Sequence, residues 1–271
     1  MPELPEVETT RLGIQPFIEN QTITQIVIRQ HQLRWPIPYS LPQQLQGKII
    51  KKVTRRGKYL LFEIEQGALI LHLGMSGSLR VLKQKILPQK HDHVDFEFTN
   101  RAVLRFTDPR RFGAILWTEK ESLHHPLLAK LGAEPLTADF SAKYLWLAAQ
   151  GRKKSIKSFI MDNHVVVGVG NIYAAEALFL AAIHPCKPAG LVSEIEMTKL
   201  VDAIKNILQQ AIQQGGTTLK DFLNSEGKPG YFSQQLQVYG RNGLPCTACN
   251  SILQSMRIGQ RTTVFCSYCQ V

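Results

Sequence analysis

The alternation of apolar and polar residues changes period along the chain, and these changes predict its organisation. From Pro5 to Ile18 the apolar positions Val7, Ile14, Phe17 and Ile18 keep helical spacing, with Pro5 in the first turn and acids at Glu6 and Glu8 where a helix dipole favours them. The N-terminus is therefore expected just ahead of a helix start. Between about Thr22 and Thr118 the period falls toward two, in runs such as Tyr59 to Ile64, Leu69 to Leu73 and His93 to Phe98. Turn residues, among them Thr99-Asn100 and Asp108-Pro109, separate these runs, so the pattern predicts short strands assembled as a β-sandwich.

The periodicity loosens around 119–150, where Pro126 and Pro135 interrupt it, and a linker is expected over 131–150. Beyond it the pattern is helical. A first helix is expected over Lys153–Asp162, and Gly168-Val-Gly-Asn171 leads into a second over Ile172–Ile183, stopped by His184-Pro185. Ser193 and Glu196 form a capping box for a third, whose apolar positions 197, 200, 201, 204, 207, 208, 211 and 212 continue to Gly215-Gly216. The segment 217–232, with Gly227, Pro229 and Gly230, reads as a mobile loop, and Gln235–Tyr239 alternates as a strand. The expected architecture is α+β, with a sandwich domain and its flanking helices over 1–130, the linker, a helical domain over 151–235 and a small module over 236–271.

No apolar run approaches the ~18 residues that would span a membrane. The first residues are acidic where a signal peptide is basic, so a cytoplasmic protein is expected. A formal charge of +11 suits a polyanionic partner, and nucleic acid leads among these.

The cysteines carry the sharpest chemical signal. Cys246-x2-Cys249 and Cys266-x2-Cys269 are separated by 16 residues, a spacing suited to a ribbon that holds one Zn²⁺ through four thiolates. Four protein ligands leave no open coordination position, so the metal is expected to be structural. From Leu236 to Val271 there are three arginines and no acid, and the Arg257–Arg261 stretch between the knuckles can face phosphates or form a solvated basic turn. Gly168-x-Gly170 is not a dinucleotide fingerprint, because Tyr173 stands at the third glycine's position and a helix precedes it. It reads instead as a tight turn exposing N–H groups at a helix start, with Asn171 placed to cap it or to bind phosphate. Pro2 is small enough to permit removal of Met1, which would free a secondary amine able to attack an aldehyde-like sugar carbon. Glu3 and Glu6 beside it can move protons, or can simply favour the helix dipole.

Together these segments resemble the formamidopyrimidine-DNA glycosylases. The resemblance runs through Pro2 to Glu6, Arg55 to Tyr59, His72 to Gly77, Lys90 to His93, Thr107 to Gly113, Val167 to Tyr173, Gly215 to Lys220, Gln237 to Gly240 and the cysteine quartet. It implies an N-terminal β-sandwich, a helix-two-turn-helix domain and a β-hairpin zinc finger. It further implies a monomeric bacterial enzyme that acts in the nucleoid on double-stranded DNA containing oxidised purines. By this resemblance Pro2 attacks C1′ of the damaged nucleotide, Glu3 helps to open the sugar, Lys58 serves β-elimination and Arg261 δ-elimination. His91, Arg110, Arg152, Lys157, Asn171, Lys220 and Tyr239 would contact DNA. Met75, Arg110 and Phe112 would fill the gap left by an extruded base, and the glycine-rich loop would close over it. Endonuclease VIII relatives, which remove oxidised pyrimidines, have glycine in place of Leu4 and lack the Arg110-x-Phe112 pair.

Overall fold

The computed structural model describes residues 1–84, 86–217 and 232–271, with the side chains of residues 233 and 234 also outside that description. All of the loop expected over 217–232 except its two end residues, Lys220 included, therefore lies outside the described residues. The chain divides into two compact units. One comprises Met1–Lys130 with the described part of Gln214–Tyr231, and the other Leu131–Gln213 with Phe232–Val271.

The first unit opens with α1 (Leu4–Ile18), which starts one residue before its expected proline. Glu3 is the N-cap and Glu6 the third helical residue, and each side chain accepts the other's backbone N–H in a reciprocal capping box. Leu4, Val7, Ile14 and Ile18 form the buried stripe. There follow β1 (Ile23–Ile28), α2 (Leu41–Leu45), β2 (Lys52–Arg56), β3 (Tyr59–Ile64), β4 (Gly67–His72), β5 (Ser78–Leu82), β6 (Asp92–Phe98), β7 (Val103–Thr107), β8 (Ala114–Thr118) and α3 (Pro126–Ala129). The strands form two antiparallel four-stranded sheets, ordered β1-β6-β7-β5 and β2-β3-β4-β8. Alternate residues of both sheets, including Val94, Phe96, Leu104 and Phe106 from one and Val53, Leu60, Phe62 and Leu71 from the other, meet in one core that the α1 stripe joins. Burying a side chain of this size contributes about 1.5–3 kcal/mol, more than an exposed cross-strand pair supplies, so this interior holds the sandwich. A buried ion cluster ties the adjoining loop to it. The Arg105 guanidinium donates to Asp95 at 2.8 Å and reaches the carbonyl of Ile86 at 2.9 Å.

In the second unit residues 131–150, expected as a linker, carry α4 (Ala142–Ala149), with Phe140 and Leu145 buried. α5 (Ile156–Ile160) is shorter than the helix expected over 153–162, because Ser155 caps it by accepting the Ser158 N–H at 3.3 Å. α6 (Asn171–Leu180) is buried almost all round, and Ala182, at φ +58, ends the helical course before the expected Ile183. α7 (Glu194–Gln213) packs on α4 and α6 through the predicted stripe from Met197 to Ala211. No strand forms over Gln235–Tyr239. The backbone N–H groups of Gln237, Val238 and Tyr239 donate to the buried Glu176 carboxylate at 2.7–2.9 Å, which takes the place of a strand partner. The hairpin of β9 (Gln254–Ile258) and β10 (Arg261–Phe265) completes the unit.

Among the described residues no helix is long and apolar enough to cross a membrane.

Candidate functional site

The predicted site residues of the first unit fall into two groups. At its start Pro2, Glu3 and Glu6 are buried, with Glu6 wholly inaccessible. The Glu3 N–H donates to Glu6 Oε2 at 2.7 Å, and the Thr217 N–H donates to Glu6 Oε1 at 2.9 Å. A Cβ on Gly216, which sits at φ +85, would lie 3.2 Å from Glu6 Oε1, so glycine permits the approach. Glu6, read from sequence as a proton carrier, thus commits its carboxylate to main-chain donors and anchors the start of the glycine-rich segment. Lys58 lies in the tight turn after Gly57 (φ +57) and is nearly buried. Arg55 bonds the Gly57 carbonyl at 2.8 Å and the Glu8 carboxylate at 2.9 Å, tying that turn to α1. Burial would raise the Glu8 pKa, but Arg11 and Arg55 outweigh it and hold the carboxyl below its ordinary value.

His72, to which sequence reasoning gave no role, also faces Lys58, and Arg34 besides. Burial first, then the charges of Lys58 and Arg34, holds its pKa down at about 4. The Gly74 N–H donates to its Nδ1 at 3.0 Å, which requires that nitrogen unprotonated and so a neutral ring. The unfolded chain takes up this proton near 6.5 and the folded protein only near 4, so the unfolded state binds more protons in between. Stability from this group is complete above the unfolded value and is lost as pH falls through that window, by about 3 kcal/mol. Urea titrations between neutral and acid pH should register the loss. His72→Asn keeps an acceptor for Gly74 and should flatten the profile; an unaltered profile would remove His72 as its source.

The second group is built from two loops. Met75, half-buried, stands between β4 and β5, while Arg110 and Phe112 stand between β7 and β8. Phe112 is 46% exposed, and the Arg110 guanidinium carbon lies 5.1 Å from its ring centroid. Beneath them the Asp108 carboxylate, fully buried, accepts the Ser76 hydroxyl at 2.8 Å through Oδ1 and the Gly113 N–H at 2.7 Å through Oδ2. Ser76 Oγ in turn accepts the Arg110 N–H at 3.2 Å. The Asp108 N–H donates to the carbonyl of His91, which brings that residue to the same end of the unit. Asp108 and His72 both lie inside the motifs that carry the family resemblance, yet burial and bond direction alone disclose what they do.

In the second unit Arg152 is exposed beside Gly151 (φ +70). Lys157, expected to meet phosphate, is wholly buried, and its Nζ donates to Asn171 Oδ1 and to Thr263 Oγ1, each at 2.7 Å. Asn171 Nδ2 donates to the Thr262 carbonyl at 3.1 Å, so the turn opening α6 is bonded to β10. Arg261 is exposed at the hairpin tip, paired with Ile258. Tyr239 is held through its backbone by Glu176, a residue missed in sequence although an acid within the apolar run from Ile172 to Leu180 was a signal. Burial raises the Glu176 pKa, partly offset by the three N–H donors.

The sulfurs of Cys246, Cys249, Cys266 and Cys269 lie within 4.8 Å of one another. The N–H groups of Ala248 and Cys269 point at Cys246 and Cys266 sulfurs at 3.5 and 3.4 Å. Without a cation the thiols split in acidity. For Cys266 the Ser251 hydroxyl and the N–H groups of Cys269 and Tyr268 overcome burial and lower the pKa to about 6. Cys269, beside the Cys249 and Cys246 sulfurs, is pushed up to about 12. A divalent cation removes this conflict by stabilising every thiolate at once, so the cluster fits a metal.

The chain matches the family model described as the formamidopyrimidine-DNA glycosylase N-terminal domain over residues 1–115, and that described as the formamidopyrimidine-DNA glycosylase H2TH domain over 131–223. A formamidopyrimidine-DNA glycosylase of Photobacterium damsela subsp. piscicida is 60% identical over 270 residues, covering 100% of each chain. The crystal structure of the MutM (Fpg) protein from Thermus thermophilus superposes with a TM-score of 0.88 at 38% identity, covering 99% of this chain and 98% of that one. A Lactococcus lactis Fpg mutant in complex with Fapy-dG-containing DNA gives 0.91 at 35% identity, covering 99% of each.

Proposed function

Because the chain belongs to the formamidopyrimidine-DNA glycosylase family, we propose that it excises oxidised purines, 8-oxoguanine and formamidopyrimidines, from double-stranded DNA and then cleaves the backbone at the abasic site. The observation that carries this reading is the match along the full length of both chains, 60% identical over 270 residues.

In this reading the freed Pro2 nitrogen attacks C1′ of the damaged nucleotide as its bond to the base breaks, and Glu3 supplies a proton that helps to open the sugar. The product is an iminium, positively charged without protonation, which acidifies C2′. Removal of a C2′ proton expels the 3′ phosphate, with the Lys58 ammonium beside the turn assisting. The second elimination expels the 5′ phosphate. A guanidinium gives up protons reluctantly, so Arg261 acts there by electrostatic stabilisation of the departing phosphate. Glu6 holds the capping box and Thr217. His91, Arg152 and Lys220 bind phosphate, and Asn171 and Tyr239 do so from positions set by Lys157 and Glu176. Met75, Arg110 and Phe112 occupy the space vacated by the extruded base.

The cysteine cluster holds one Zn²⁺. With all four positions filled by thiolates, the metal braces the ribbon and offers no coordination site to substrate. The protein acts as a monomer in the bacterial cytoplasm, on nucleoid DNA; its bacterial relatives support the setting.

Turnover on a panel of single-lesion duplexes tests the substrate class. Release of 8-oxoguanine and formamidopyrimidine bases, faster than that of oxidised pyrimidines, is expected. Preference for pyrimidine lesions would reject the assignment.

A further inference from the structure

We infer that Asp108 is a positioning residue that locks the two base-displacing loops into one geometry, and so controls extrusion of the lesion more than the chemistry that follows. The inference rests on reading Met75, Arg110 and Phe112 as the residues that fill the gap.

The buried carboxylate draws its two ligands from two different loops. Oδ1 takes the Ser76 hydroxyl, from the loop that carries Met75, and Oδ2 takes the Gly113 N–H, at the exit of the loop that carries Arg110 and Phe112. Ser76 passes the connection on, because its Oγ also accepts the Arg110 N–H at 3.2 Å. The main chain of Asp108 adds three bonds: its N–H donates to the His91 carbonyl, and its carbonyl accepts the Arg111 N–H and His93 Nε2 at 3.2 and 2.8 Å. The two loops also touch directly. A Cβ on Gly74 would lie 2.4 Å from the Phe112 carbonyl carbon, so backbone meets backbone there. Arg111, between Arg110 and Phe112, sits at φ +57, a strained conformation for a side chain that persists only where neighbouring bonds over-determine it. The displacing side chains thus project from a rigid polar base whose common member is one carboxylate.

A carboxylate is required because both of its ligands are donors, and an ionised Asp only accepts. An asparagine of the same shape has one acceptor oxygen. Its NH₂ group must confront either the Gly113 N–H or the Ser76 hydroxyl, leaving one buried donor without an acceptor while the fold around it keeps its packing.

The test compares single-turnover excision from an 8-oxoguanine:cytosine duplex with cleavage of a duplex carrying a preformed abasic site, which needs less unstacking. Fluorescence of 2-aminopurine placed beside the lesion follows base extrusion, and thermal melting follows the fold. Asp108→Asn should lower the ratio of lesion excision to abasic cleavage by about tenfold to a hundredfold and slow the fluorescence step. Ser76→Ala should lower the same ratio less, and the double variant should fall short of the product of the two losses, since both act in one network. Equal losses on both substrates, or an undisturbed ratio in a folded Asp108→Asn protein, would overturn the inference. If that variant does not fold, Ser76→Ala decides alone, and an unaltered ratio overturns it. Phe112→Ala separates the gap-filling reading from the role of Asp108. If it leaves the ratio unaffected, both fall together; if it lowers the ratio and Asp108→Asn does not, only the role of Asp108 falls.

Discussion

Blocking the Pro2 nitrogen is expected to abolish base excision and strand cleavage together, to the level of the uncatalysed reaction. Both steps pass through the same covalent iminium in the proposed mechanism, so no residual route separates them. Protein prepared with methionine aminopeptidase inhibited retains Met1, and its Pro2 nitrogen is then an amide without a nucleophilic lone pair. Processed protein mixed with lesion duplex and borohydride should be trapped as a stable amine, and peptide mapping should locate the adduct on Pro2. The retained-Met1 form should give none. Pro2→Gly is a poorer probe, since its primary amine can still form an imine. The surroundings suit a fixed nucleophile, because Pro2 is buried and the next residue is held by the reciprocal Glu3–Glu6 box that fixes the start of α1. An adduct mapped to a lysine, or trapping undiminished when Met1 is retained, would sink this nucleophile.

Removal of one cysteine ligand should have the second large effect. Cys246→Ser is expected to lose its single equivalent of zinc and to unseat the β9–β10 hairpin. The hairpin's own core is small, with Val238, Leu253, Val264 and the cysteines packed on Ala175 and Phe179. Zinc binding worth about 10 kcal/mol or more becomes folding free energy in modules of this size, which exceeds what so few side chains return. The sandwich keeps its own interior and should stay folded. With Arg261 displaced, products on an abasic duplex should stop at β-elimination, and DNA affinity should fall. Metal content by atomic emission, thermal melting and a sequencing gel of the products check these outcomes together. Complete β,δ-elimination by the zinc-free variant would show that the hairpin needs no metal.

Period and caps made most of the architecture legible. The two-residue period between Thr22 and Thr118 marked the strands, and the structure pairs them into the two sheets, although β4, β6 and β7 are buried on both faces. The stripe from Met197 to Ala211 marked α7 to within a residue or two of its ends. Two of the larger departures come from contacts distant in sequence that decided the local backbone. Gln235–Tyr239 has the composition of a strand, but three of its N–H groups are claimed by Glu176, about 60 residues earlier. The stretch 131–150 lacks clear periodicity, yet Ala133 bridges Val166 and Phe140 is buried, contacts that no local pattern announces. In the candidate site, residue types were legible through the motifs and their burial was not. Lys157 looks like any other lysine of a basic patch until its ammonium is found committed to Asn171 and Thr263. Asp108 looks like a turn residue before proline until both its oxygens are traced to separate loops.

The bond between Thr217 and Glu6 also orders events in time. It joins residues 211 positions apart, so the unit that contains the N-terminus is discontinuous in sequence. During synthesis at roughly 5–20 residues per second, α1 leaves the ribosome many seconds before its partner exists. Throughout that interval the buried Glu6 carboxylate lacks one of its main-chain donors, and the helical segment must be made before the first unit can close. The nascent chain therefore carries its N-terminal residues long before their surroundings are complete, which leaves Met1 open to processing at the stage when the end of the chain is least enclosed.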